Sequence, residues 1–226
     1  MIIYIILACV GIAIQAAFIT VEKKEKYVPA VILKGLASCV FITLGLFGFL
    51  SAKDSFSRLI FIGLIFGGIG DVCLNLRLVF KDGKKIFLLG IAAFLVGHIL
   101  YLAALIPETA PKTLVICLAG GVVAAAVLLA WIFKNITAQK VFKIFGVFYV
   151  GAVVLMTAVS VGRVVENFAV SSLIYMIGAV LFTLSDVILI FNMFSEKKAA
   201  WMRPANLTLY YIGQLLISFS LFFLAA

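Results

Sequence analysis

Asp71 and Asp186 are carboxylates set inside apolar stretches long enough to cross a bilayer. Holding a charged group there costs roughly 2.5–3.5 kcal/mol on insertion scales, so it faces a bundle interior or a wet cavity and marks a functional site by default. Their surroundings recur: Gly70-Asp71-Val72-Cys73-Leu74 is echoed by Ser185-Asp186-Val187-Ile188-Leu189. Two carboxylates in one low-dielectric pocket can divide acid–base work, one protonated as general acid and the other ionised. Reactions through an oxocarbenium ion suit such a pair, vinyl ether hydrolysis among them. An acid protonates the alkene carbon, the partner carboxylate stabilises the cation, and water adds. The hemiacetal then collapses to an aldehyde and an alcohol.

Other chemistries find fewer supports. The chain holds one histidine, which excludes a three-histidine zinc site. It contains no Gly-x-Ser-x-Gly elbow, and Ser185 has no evident base beside it. Cys9, Cys39, Cys73 and Cys117 all fall inside apolar segments, which argues against disulfides and cysteine-type zinc sites. No metal and no cofactor is expected.

The elements that must carry these residues are membrane helices. Hydrophobic residues make up 66% of the 226 and charged ones 12%, against about 45–50% and 25% in soluble domains. About 20 apolar residues span the hydrocarbon core. Eight such runs are present: Ile2–Thr20, Tyr27–Leu50, Leu59–Val79, Ile86–Ile106, Thr113–Phe133, Val141–Gly162, Val170–Asn192 and Ala205–Ala226. The first has no basic flank before it and reads as a retained helix rather than a cleaved leader. Pro29, Pro107, Pro111 and Pro204 sit at or near run ends, where proline starts or stops a helix. The expectation is an all-α integral membrane protein forming one transmembrane domain over residues 1–226.

The net charge of +9 does not point to nucleic acid, because the basic residues lie in short connections between apolar runs. The odd-numbered connections hold Lys23, Lys24, Lys26, Arg77, Lys81, Lys84, Lys85, Lys134, Lys140, Lys143, Lys197, Lys198 and Arg203. The even-numbered ones hold only Lys53, Arg58, Lys112 and Arg163. The positive-inside rule then puts the odd connections in the cytoplasm and both termini outside. The compact chain points to a bacterial cell membrane.

The aspartates are 115 residues apart, and Gly97-His98-Ile99-Leu100 recurs as Gly213-Gln214-Leu215-Leu216 at 116. These offsets lead us to expect related halves, 1–110 and 111–226. Four helices in each insert the same way up and make a parallel repeat. Polar residues also share a level and a face. At about 1.5 Å of rise per residue, Lys34, Asp71, Asp186 and Gln214 lie roughly 9–13 Å below the cytoplasmic surface and His98 roughly 18 Å. Gly63, Gly67, Asp71 and Asn75 follow at i+4 on the third helix, as do Asn206, Tyr210, Gln214 and Ser218 on the eighth. His98 and Tyr101 share a face of the fourth. One polar pocket opening to the inner leaflet accounts for all of them, with Lys34 paired to Asp71 or to Asp186.

The chain resembles the lysoplasmalogenase (YhhN-like) family of membrane proteins. The resemblance rests on Gly70-Asp71-x-x-Leu74, Gly97-His98-x-x-Tyr101, Ser185-Asp186-x-x-Leu189 and Tyr210-Tyr211-x-x-Gln214-x-Leu216, in that order along nearly the whole chain. Family members typically carry Lys-Pro where this chain has Lys34-Gly35. The resemblance implies hydrolysis of the vinyl ether of lysoplasmalogen to a fatty aldehyde and a glycerophospho-head group. The partners it implies are the lysophospholipid substrate and membrane lipid. Asp71 and Asp186 would be the acid and its partner, and Lys34 would hold the phosphate or tune the pair. Asn75, His98, Tyr101, Tyr210 and Gln214 would line the pocket. The rival reading is a small-solute or lipid transporter, since intramembrane acids and internal repeats occur there too.

Overall fold

Hydrocarbon offers backbone groups no hydrogen-bond partner, so each apolar run must bond within itself and folds as one helix. The computed structural model describes residues 1–80 and 83–224. Lys81 of the third connection and Ala226 at the end of the eighth run lie outside the described residues. The helices are α1 (Ile2–Lys23), α2 (Tyr27–Ala52), α3 (Ser55–Leu76), α4 (Gly83–Leu105), α5 (Pro111–Asn135), α6 (Lys140–Glu166), α7 (Val170–Phe194) and α8 (Met202–Ser220). All eight are long and apolar enough to cross a membrane. Among the described residues there is no strand. Most helices run past their apolar cores to charged or polar ends. In α3, by contrast, apolar sequence continues to Val79 but the helix stops at Leu76, and the N–H groups of Leu78 and Val79 bond back only three residues.

Connections control which side chains meet. Lys53 takes a left-handed conformation (φ 56°) at the end of α2. Asp54 then caps α3, its carboxylate accepting from the Ser57 N–H at 2.6 Å. This tight antiparallel turn puts Lys34 and Asp71, nearly equidistant from it along their helices, at one height. The α6–α7 connection does the same for Tyr149 and Asp186.

Helices α2, α3, α4, α6, α7 and α8 close a ring in that order, and α3 also touches α8 across it. Outside the ring, α1 packs on α2 and α8, and α5 packs on α6. These two outer helices bury the smallest share of their surface. The lysine-rich connections (α1–α2, α3–α4, α5–α6, α7–α8) gather at one end, called here the basic end.

Helices α7 and α8 cross closest at Gly178 and Gly213. A Cβ on Gly178 would stand 2.8 Å from the Gly213 carbonyl oxygen and 3.1 Å from the Ile217 nitrogen. Both are backbone atoms and cannot step aside. Gly178→Ala is therefore expected to cost about 1–3 kcal/mol by overpacking, read as a lower unfolding midpoint in detergent. Gly120→Ala, whose new Cβ meets nothing within 4 Å, is expected to show no loss.

Candidate active site

Asp71 on α3 is 4% exposed, and Lys34 on α2 is 1% exposed. Lys34 Nζ stands 3.3 Å from Asp71 Oδ1. The other carboxylate oxygen, Oδ2, accepts from Ser38 Oγ at 2.6 Å and from the Tyr210 hydroxyl at 2.9 Å. The ammonium also reaches Gln15 Oε1 at 3.5 Å and lies 4.4 Å from the centre of the Tyr210 ring. Gln15 is held in turn by the Leu207 carbonyl. A buried charge is tolerable only when paired and hydrogen-bonded, and four helices meet that need here.

Asp186 on α7 is as buried, at 5% exposed, but is differently served. Tyr149 on α6 donates to its Oδ2 at 2.8 Å. Among the described residues no cation pairs with it and no second donor reaches it. Its orientation comes from the next residue back. Asn206 on α8 donates to the Ser185 carbonyl and hydroxyl at 2.9 and 2.8 Å, and Ser185 Oγ returns a bond to the Asn206 carbonyl at 3.1 Å. Tyr149 is within electrostatic reach of both carboxylates.

Both carboxylates line one cavity together with Lys34, Asn75, Tyr149, Arg203, Asn206 and Tyr210. Its volume is about 40 Å³. A water needs roughly 10–15 Å³, so the cavity takes a few waters. Asn75 donates to the Asp71 carbonyl at 2.9 Å, while its Oδ1 has no partner among the described residues. Over the basic end, Arg203 at the start of α8 forms a two-point ion pair with Glu22 at the end of α1. Arg77, just past α3, puts Nη2 3.2 Å from the Met193 sulfur and stacks 4.7 Å from the Phe87 ring centre. Burial and the neighbouring Arg203 push the Arg77 guanidinium down to about 10, with Glu22 opposing, so it remains a cation at neutral pH.

The structure brings together Lys34, Asp71, Asn75, Asp186 and Tyr210 of the expected residues. Tyr101, His98 and Gln214 do not line the cavity and form a layer behind it. Tyr101 donates to Gln214 Oε1 at 3.1 Å, and Gln214 Nε2 donates to the Tyr210 hydroxyl at 3.4 Å. His98 Nδ1 donates to the Phe94 carbonyl at 2.7 Å, and its ring meets Phe182 and Tyr149 edge-on at 4.5 and 5.5 Å between centres. The reason is depth: these residues sit farther from the basic end than the aspartates do. Gln15, Ser38, Tyr149 and Arg203 escape a reading of the sequence alone. Tyr149 had a signal, since it follows Lys34 at the 115 residues that separate Asp71 from Asp186. Ser38 had a weaker one, one turn beyond Lys34 on the same face.

A sequence model described as the YhhN family matches residues 26–221 of this chain. No curated protein and no solved structure matches it.

Proposed function

The chain belongs to the YhhN family, the family of lysoplasmalogenases, and we propose that it hydrolyses the vinyl ether bond of a lysoplasmalogen. The observation that carries this reading is the unequal treatment of two buried carboxylates on one cavity with room for a few waters: Asp71 has a cation at 3.3 Å, and Asp186 has only a phenol. A carboxyl group with no cation is the one that can keep a proton in a dry site. Asp186 is thus the general acid, and Asp71, held ionised by Lys34, is the charge that faces the developing cation.

The step balances as follows. The Asp186 proton goes to the vinyl carbon remote from oxygen, giving an oxocarbenium ion. Water adds to the carbon bonded to oxygen and returns a proton to Asp186. The hemiacetal breaks its bond to the glycerol oxygen, which leaves as an alcohol, and the other product is the fatty aldehyde. Asn75 Oδ1 and the Tyr210 hydroxyl are the groups that hold the water.

On the positive-inside rule the basic end faces the cytoplasm of a bacterial cell membrane, with both termini on the far side. We also read residues 1–110 and 111–226 as copies of one four-helix unit. In support, α1·α2, α2·α3 and α3·α4 packing recurs as α5·α6, α6·α7 and α7·α8. The Lys34–Asp71 pair recurs in place as Tyr149–Asp186. The test of function is aldehyde release by the purified protein from lysoplasmalogen in mixed micelles, trapped with an aldehyde reagent. Stoichiometric aldehyde and glycerophospho-head group are expected. Uptake of substrate into proteoliposomes with no aldehyde formed would replace this reading with transport.

A further inference from the structure

Beside the polar cavity lies a second one, walled almost wholly by apolar side chains of α4, α5, α6 and α7, with Phe87, Ile132, Phe142 and Ile190 among them. Leu74, Phe94, Tyr149 and Leu189 line both cavities. The Tyr149–Asp186 hydrogen bond therefore stands on the divide between a wet compartment and an oily one. Toward the basic end the apolar cavity meets a recess that shares Phe87, Phe142, Met193 and Phe194 with it and adds Arg77 and Lys84. Lys143 lines the apolar cavity itself.

These three cations have neutral partners. Arg77 uses the Met193 sulfur and the Phe87 ring. Lys84 donates to Gln139 Oε1 at 2.6 Å and lies over Phe142. Lys143 lies over Phe133 at 5.7 Å. Among the described residues no carboxylate comes within ion-pair distance of any of them. Three cations without counter-ions among the described residues, on the rim of an apolar cavity, form a complement to an amphiphile with one anionic group and one hydrocarbon chain. Guanidinium and ammonium groups in such a place favour phosphate. Along α6, Lys143 and Tyr149 are separated by roughly 9 Å of rise, about the length of an extended glycerophosphate.

We propose that the rim formed by Arg77, Lys84 and Lys143 holds the phosphate of the lysolipid and that the apolar cavity, about 60 Å³, takes only the ether end of the chain, which sets the scissile bond against Tyr149 and Asp186. The proposal rests on the vinyl ether reading for its substrate and goes beyond it by naming where that substrate sits. It also gives the phosphate to this rim rather than to Lys34, whose ammonium is already engaged by Asp71, Gln15 and Tyr210.

Gly146 supplies a clean probe. It lines the apolar cavity, and a Cβ there meets nothing within 4 Å, so Gly146→Leu fills the space without displacing backbone. The first arm measures kcat/KM for lysoplasmalogen and for the phosphate-free 1-O-alkenylglycerol. Arg77→Gln and Lys143→Gln are each expected to lower the preference for the phosphorylated substrate about five- to tenfold. Lys112→Gln at the opposite end is expected to keep it. Preference equal to wild type in both rim variants would overturn the proposal. The second arm needs no turnover: a 1-O-alkyl lysophospholipid, which lacks the vinyl group, should raise the Tm of the wild type in a concentration-dependent way and should fail to do so for Gly146→Leu. An undiminished Tm rise in Gly146→Leu overturns the chain site, even where aldehyde is released. A Tm rise lost in Gly146→Leu supports the site even if no aldehyde is ever found. Inorganic phosphate producing the same Tm rise by itself would assign the rim to a free anion and overturn the lipid assignment.

Discussion

Asp186→Asn is expected to remove aldehyde release, lowering kcat/KM by about 10²–10⁴-fold, the range that general acid catalysis supplies. The variant should fold. Asparagine keeps an oxygen for the Tyr149 hydroxyl, which now lies 2.8 Å from Asp186 Oδ2, and it brings no charge into the bundle. What it lacks is the transferable proton. Turnover should therefore fall while the unfolding midpoint and binding of an alkyl ether analogue stay near wild type. Wild-type turnover in Asp186→Asn would remove the carboxyl group from the mechanism. Asp71→Asn should also lose activity, but its stability should fall as well, because Lys34 is left as a buried ammonium without its counter-ion. The two aspartates, alike in sequence, should separate in this experiment by the cost of folding.

Lys34→Met tests the pair from the other side. Methionine preserves much of the unbranched stem of Lys34, whose ammonium lies 5.4 and 5.7 Å from the Phe18 and Tyr211 ring centres, so the main loss is the charge. Removing one member of a buried ion pair typically costs about 3–5 kcal/mol, most of it the penalty of the stranded partner. With side chains 1% and 5% exposed, solvent screening relieves little of that. Lys34→Met and Asp71→Asn should each destabilise strongly. The double variant, with neither charge present, should recover most of the loss without recovering turnover. Measured as a double-mutant cycle on detergent unfolding, the coupling should be large and favourable to the native pair. Strictly additive losses would mean that Lys34 and Asp71 act independently, and the assignment of Asp71 as the fixed negative charge would fall with that result.

Unlike partners let the similar sequences around the two aspartates serve different ends. Lys34 and Tyr149 occupy corresponding places, on α2 and α6, each at the height of its aspartate. One brings an ammonium to within 3.3 Å of its aspartate and the other a phenol hydroxyl to within 2.8 Å. In the proposed mechanism that one difference of side chain makes one acid a fixed charge and leaves the other free to hold a proton.

Local patterns in the chain were enough to determine the eight spans, the i+4 stripes of α3 and α8, and the two acids that must turn inward, because hydropathy and helical periodicity act over a few turns and hydrocarbon permits no other backbone solution. They were also enough to carry the family resemblance, through four short motifs in order. Only the tertiary structure decided that Lys34 takes Asp71 and leaves Asp186 to Tyr149. It also decided that His98, Tyr101 and Gln214 stand behind the cavity, and that an apolar chamber with a basic rim adjoins it. Those outcomes depend on the order of helices around the ring and on which residues share a height across it. That order is set by the sum of packing among α2, α3, α4, α6, α7 and α8, and no single stretch of sequence contains it.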